Sequence, residues 1–248
     1  HGKLLSERLK TYSNEISKEK NQSIMSDFFK SFIGNPDAVI IANGNYPTHE
    51  IPLSYIEKAT YIVCCDGAAN GFIDRGGHPN AIVGDCDSIS EENKTRFADI
   101  IHPDPDQYTN DLTKSVHFCV QQGKKNLVIV AATGKSEEHT LGNISLLAEY
   151  KNQANVAMIT DYGILYPIHS PTTFPSFRGQ RISFFCIDRA EVTLHGLRYP
   201  LNKAILTNWW QGTLNESLGD AFTIETWGRT IVFCGHHPAS TSSPAPSL

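Results

Sequence analysis

The chain has 248 residues, 40 per cent of them apolar and 10 per cent aromatic, enough to fill one large core or two modest ones, which excludes a short disordered or peptide-like chain. The balance of 21 Lys and Arg against 26 Asp and Glu leaves a formal charge of −5, so no global cationic field exists to hold nucleic acid or an anionic membrane. Eighteen Gly and 13 Pro stand near the usual background, which removes collagen-like and low-complexity readings.

Residues 1–36 read as an N-terminal extension, partly helical or disordered, and the 24 residues ahead of Met25 are expected to carry no chemistry. From 37 to 160, short apolar runs alternate with amphipathic stretches. The strand candidates are AVIIA (38–42), YIVCC (61–65), AIVGD (81–85), DIIHP (99–103), NLVIVAA (126–132) and NVAMIT (155–160). Between them, helices are predicted at 53–58, 68–75, 91–97, 111–122 and 138–150. The runs are apolar on both faces, which predicts a mostly parallel sheet covered by helices on both sides, an open α/β domain.

After Asp161 the texture changes. GILYPI (163–168), RISFFCI (181–187), AEVTLHGL (190–197), KAILTN (203–208), DAFTIETW (220–227) and TIVFCG (230–235) are strand candidates separated by Pro, Gly and Asn, with no helix between them. They predict a β-sandwich over 161–235, followed by a disordered Pro/Ser tail at 236–248 in which His236 and His237 are solvated. No run approaches the ~18 apolar residues of a spanning helix, and no apolar centre of a signal peptide opens the chain. Six cysteines without a CxxC pair suit thiols in a reducing compartment. A cytoplasmic protein with no membrane or nucleic-acid partner is expected.

The acidic residues are unevenly spread. Asp85 and Asp87 flank Cys86 directly after an apolar strand, where open α/β sheets bind ligands, and carboxylates two apart on a loop can face one hard cation such as Mg²⁺. The alternative is a turn that caps the helix entered through Ser88 and Ser90. A second cluster, HPDPDQYTNDLTK, sets Asp104, Asp106 and Asp111 ahead of a helix and Lys114 three residues beyond Asp111 on the same face. That combination suits a metal-bound polyphosphate, the alternative being a capped helix with a surface ion pair; a second acidic loop in the same sheet favours the phosphate site. The Gly-Lys-Ser at 134–136 is not a P-loop, because the glycine required five residues earlier is Ile129. No GxGxxG follows a predicted strand, and the ten histidines form no HExxH.

Taken together, CDGAANGF at 65–72, GDCDSI at 84–89, DQYTNDLTK at 106–114 and ATGKSEEHTLGN at 132–143 resemble thiamin pyrophosphokinases in content, order and spacing. The resemblance runs from about Val39 to Phe233 and is more specific in the first half. It implies a Rossmann-like α/β nucleotide-binding domain, a β-sandwich that binds thiamin, and a homodimer with the active site near the subunit interface. It further implies Mg²⁺-dependent transfer of the diphosphate of ATP to the hydroxyl of thiamin, giving thiamin diphosphate and AMP.

Carried over by resemblance, Asp85, Asp87 and Asp111 are the metal and polyphosphate carboxylates, and Lys114 completes the catalytic set. Asp66, Gly67, Asn70, Ser88, Asp106, Gln107, Gly134, His139, Thr140 and Asn143 are further binding residues. The family's arginine and aspartate after the ATG are replaced by Ser136 and Glu138, with Lys135 as the candidate cation and Glu138 as the candidate carboxylate. Asn215 takes the place of the family's thiamin-contact asparagine. Trp209 and Trp210, if in a strand, face opposite sides, one free to stack on a cationic ring or simply to form an edge. Two alternatives remain: a catalytically weak thiamin or nucleotide sensor, and a diphosphotransferase acting on another alcohol.

Overall fold

The computed structural model describes residues 35–239. The predictions for residues 1–34 and 240–248 lie outside the described residues.

Nineteen named segments follow the chain in order: β1 Ala38–Ile41, α1 Glu50–Lys58, β2 Ile62–Cys65, α2 Ala68–Asp74, β3 Ala81–Gly84, α3 Glu91–Arg96, β4 Ile101–Pro103, α4 Asp111–Gln121, β5 Asn126–Val130, α5 Glu137–Tyr150 and β6 Asn155–Ile159 make the α/β half. The rest are β7 Gly163–Ile168, β8 Thr172–Pro175, β9 Gln180–Cys186, β10 Glu191–His195, β11 Ala204–Ile205, β12 Asn215–Glu216, β13 Ala221–Glu225 and β14 Thr230–Pro238. All five helices occur where the spacing predicts them. Their starts are set by caps: His49 accepts the Ile51 N–H, Ser90 that of Asn93, Asn110 that of Thr113 and Ser136 that of His139. The His49 cap starts α1 three residues before the predicted Leu53, because histidine is not among the usual capping residues.

Strands β6-β5-β1-β2-β3-β4 are parallel, and β1 lies between β5 and β2, so the strand order reverses between β1 and β5. That reversal opens a crevice at the C-terminal strand ends. Alternate residues of β1 face different cores. Val39 and Ile41 pack with Ile56 of α1 and Phe72 of α2, whereas Ile40 packs with Val116 of α4 and Leu147 of α5.

The β half does not stand apart. Strand β7 pairs antiparallel with β6, β14 with β7, β9 with β14 and β12 with β9, so one ten-stranded sheet runs through both halves. A four-stranded sheet, β11-β10-β13-β8, covers its C-terminal part. Phe174 and Phe222 stack with centroids 5.0 Å apart in the same apolar cluster as Ile182, Phe184 and Val232, which closes the sandwich. The composition change at 160 therefore marks a change of texture along a continuous sheet.

Residues 236–238, predicted as the start of a disordered tail, lie in a strand. Strand β14 extends to Pro238, and His236 is 2 per cent exposed with its Nε2 against the Thr160 carbonyl at 2.8 Å. Its small polar ring fits beside the β6–β7 turn, a contact no periodicity reveals. His237 remains exposed, as expected.

Candidate active site

Three carboxylates converge at the C-terminal ends of β2 and β3. One oxygen each from Asp66, Asp85 and Asp87 lies within 4.8 Å of the others. Both turns are forced into left-handed backbone, with φ of 36° at Asp66 and 65° at Cys86, a geometry that costs a non-glycine residue about 1–2 kcal/mol. Strain of this kind collects where geometry is imposed for function. Gly84 makes the convergence possible: a Cβ there would stand 2.7 Å from the Asp66 Cβ and 3.0 Å from Asp111 Oδ1. Gly67 does the same on the other side, where a Cβ would stand 2.9 Å from that of Ser88.

Asp66 is 3 per cent exposed. Its Oδ2 accepts the Ser88 N–H at 3.1 Å, but Oδ1 is buried without a hydrogen-bond donor. Burial pushes the carboxyl above its usual range, the Ser88 donors oppose this, and the negative charges of Asp111 and Asp85 push it further up. A dry carboxylate oxygen without a donor is costly unless a cation meets it. The all-oxygen donor set, with Asp85 half-buried and Asp87 exposed, fits a hard divalent cation such as Mg²⁺. The turn predicted as the alternative is present too, since Asp85 Oδ1 accepts the Asp87 N–H at 3.4 Å. Helix α3, however, is capped by Ser90 rather than by either aspartate.

Asp111 opens α4 beside this cluster, and Lys114 Nζ donates to its Oδ1 at 3.2 Å with the lysine side chain 2 per cent exposed. An ammonium this buried depends on its carboxylate partner. The N-cap Asn110 donates to Asn143 Oδ1 at 3.1 Å, and Asn143 donates to the Ala132 carbonyl at 2.9 Å. Asn143 thus braces α4, α5 and the end of β5 against one another. Asp106 shapes its own turn, accepting the Tyr108 N–H at 3.0 Å and the Thr109 hydroxyl at 2.6 Å, bonds that hold its carboxyl below the usual range. Gln107 is exposed and donates only to the Pro105 carbonyl, at 3.3 Å.

At the sheet's reversal point, Lys135 Nζ reaches the Asn43 side chain at 3.1 Å. Thr140 accepts the Gly134 N–H at 3.0 Å and donates to the Ser136 carbonyl at 2.8 Å, which fixes the loop against the first turn of α5. The Glu138 carboxyl is held low by its own backbone N–H and by the Ser136 hydroxyl, so it serves the helix start. His139 is exposed beside it. A cavity of about 670 Å³ opens next to Gly134 and runs to Arg181, Ser183, Phe185 and Leu214 of the β half.

Family models for two domains match this chain: "Thiamin pyrophosphokinase, catalytic domain" over residues 53–159 and "Thiamin pyrophosphokinase, substrate-binding domain" over 163–233. The chain belongs to the thiamin pyrophosphokinase family. A Caenorhabditis elegans thiamin pyrophosphokinase 1 is 32% identical over 113 residues, covering 42% of this chain and 46% of the relative. A Bacillus subtilis thiamine pyrophosphokinase is 29% identical over 181 residues, covering 68% of this chain and 83% of the relative. The match to the nematode protein thus spans about half of that relative's length. Among solved structures, the thiamin pyrophosphokinase from Candida albicans superposes with TM-score 0.68 at 18% identity, covering 80% of this chain and 89% of the other. The Bacillus subtilis crystal structure gives 0.66 at 23% identity, covering 80% and 98%. These likenesses establish a shared fold.

In the β half, the structure shows how Asn215 and the two adjacent tryptophans are held. Asn215 is 5 per cent exposed; its Oδ1 accepts the N–H groups of Tyr199 and Glu216, and its Nδ2 donates to the Tyr199 carbonyl. These three bonds pin a backbone crossing between Tyr199 and Glu216. Trp209 and Trp210 sit in a 3-10 turn, not a strand, because Asn208 and Gln211 form a capping box there. Both indoles are about half exposed, with Trp209 donating to the Cys186 carbonyl at 3.1 Å. Sequence reasoning missed Asn43, flagged only by the NGN loop after β1, and Asn93, which carries no motif signal.

Proposed function

We propose that the protein is a Mg²⁺-dependent thiamin diphosphokinase that moves the diphosphate of ATP to the hydroxyethyl oxygen of thiamin and releases AMP. The observation that carries this reading is the donorless, buried Oδ1 of Asp66 within a three-carboxylate cluster, next to the Asp111–Lys114 pair. Bound Mg²⁺ would neutralise polyphosphate oxygens, and Asp66, Asp85 and Asp87 would hold it, with Asp111 adjacent. Lys114 brings a fixed positive charge to the same place, and the rigid turns at Asp66 and Cys86 hold their carboxylates without reorganisation. Phosphoryl transfer asks mainly for such positioning and charge.

The cavity beside Gly134, with apolar and polar walls from both halves, has the volume for a vitamin-sized alcohol. Gly67, Asn70, Ser88, Asp106, Gln107 and Thr140 serve this site by shaping its loops. A homodimer and a cytoplasmic location belong to the same reading; among the described residues no helix is long and apolar enough to cross a membrane. The test is incubation of purified protein with ATP, Mg²⁺ and thiamin. Thiamin-dependent AMP and thiamin diphosphate, both identified by mass, are expected, and neither product from folded protein refutes the proposal. The exchange of the family's arginine for Ser136, whose hydroxyl caps α5, favours a second reading, a weak catalyst that senses thiamin, for which calorimetry would record binding while products stay absent.

A further inference from the structure

The two arms of the carboxylate cluster come from different loops, Asp66 from the β2–α2 turn and Asp85 and Asp87 from the β3–α3 loop. One side chain connects them. Asn70, one turn into α2 from Asp66, donates from Nδ2 to the Ser88 carbonyl at 2.8 Å and accepts the Ser90 N–H on Oδ1 at 3.1 Å. The same Oδ1 accepts from Nδ2 of Asn93 at 2.9 Å, and Asn93 lies 7 per cent exposed in α3. These bonds fix the polarity of the pair. Turning the Asn70 amide over would set its NH₂ against the Ser90 N–H and its oxygen against the Ser88 carbonyl, so Oδ1 must face α3. Residue 93 is therefore required to be a donor.

We infer that Asn93, acting through Asn70, is a positioning residue for the metal-holding carboxylates, clamping the Asp85–Asp87 loop to the turn that carries Asp66. The inference rests on the proposed metal reading of that cluster. Outer partners of ligand groups commonly tune metal affinity by about 10–100-fold when removed.

Asn93→Asp tests it because shape and electrostatics predict opposite signs. The aspartate matches asparagine in shape but presents an acceptor to the Asn70 oxygen, which loosens the loop. Its added negative charge, on the other hand, would by itself attract a cation. Mn²⁺ binding to the full chain, measured by calorimetry and paramagnetic resonance without nucleotide or thiamin, is expected to weaken about 10-fold or more in Asn93→Asp. Asn93→Ala, which removes the donor without adding a facing acceptor, is expected to weaken binding less than Asn93→Asp does, and serves if the aspartate variant fails to fold. In turnover assays the loss should appear as a raised metal requirement, with kcat recovering at saturating Mg²⁺ and the KM for thiamin unchanged. Unchanged or tighter Mn²⁺ binding in folded Asn93→Asp, or unchanged binding in Asn93→Ala, overturns the clamp. A wild-type chain that binds no Mn²⁺ overturns the metal reading itself, and the clamp with it.

Discussion

The two ends of the ten-stranded sheet treat their polar groups in opposite ways. At the C-terminal ends of β2 and β3, the buried carboxylate of Asp66 keeps an oxygen without a donor. In the β half, Gln180 accepts from the Ser176 hydroxyl and donates to the Gly235 carbonyl, and Asn215 bonds neighbouring backbone through both Oδ1 and Nδ2. The contrast is between acid and amide side chains, since His236 Nδ1 in the β half is likewise buried without a partner. A hydrogen-bonded amide fastens the sheet, and a donorless carboxylate oxygen is what the proposed metal site rests on.

The sharpest way to break this contrast is Asp85→Asn. Turnover should fall by about 100-fold or more, with the thermal midpoint moving by less than about 2 °C, because the side chain is half-buried and supports little packing. A large loss of stability instead would place Asp85 with the fasteners.

A pH series examines the seam between the halves. His236 stacks on His49 with centroids 4.9 Å apart and lies near His237 and Asp161. Burial lowers its pKa to about 4, the Thr160 carbonyl opposing this, because protonation would set a second N–H in a dry site without an acceptor. A histidine whose folded pKa is depressed favours the fold fully above its unfolded value of about 6.5, and that contribution is lost as pH falls towards 4. Up to about 3 kcal/mol should disappear over this window in urea titrations, and His236→Gln should flatten the slope. An equal slope in the variant would assign the pH dependence elsewhere.

Asn215→Ala should lower stability by about 1–3 kcal/mol by leaving the Tyr199 backbone unpaired, while the KM for thiamin stays within about two-fold. A rise of the KM with stability unchanged would return Asn215 to the thiamin contacts. The smallest effect is expected at Ala131, whose φ of 55° follows β5 directly. Ala131→Gly should relieve more strain than it adds unfolded-state entropy, a net gain of about 0.5 kcal/mol in chemical denaturation.

Helices and strands were legible because each buries a periodic face: Val39 and Ile41 against Ile40, or Leu112 and Val116 along α4. The short strands β8, with Phe174 as its one buried side chain, and β12, of two residues, leave no such trace. At the site, Asp85, Asp87, Asp111 and Lys114 were readable because charged groups of opposite sign or doubled sign at fixed spacing are uncommon in one loop. The placement of Asp66 within the three-carboxylate cluster was not, since its part depends on how closely Gly84 lets another strand's loop approach.

The sequence by itself determined the periods and the family, because these are properties of neighbours along the chain. Tertiary structure alone decided which carboxylate oxygen goes without a donor, that the sheet continues through residue 160, and that Asn215 and His236 are buried. Those outcomes depend on desolvation and on contacts between segments far apart in sequence, which no local spacing encodes.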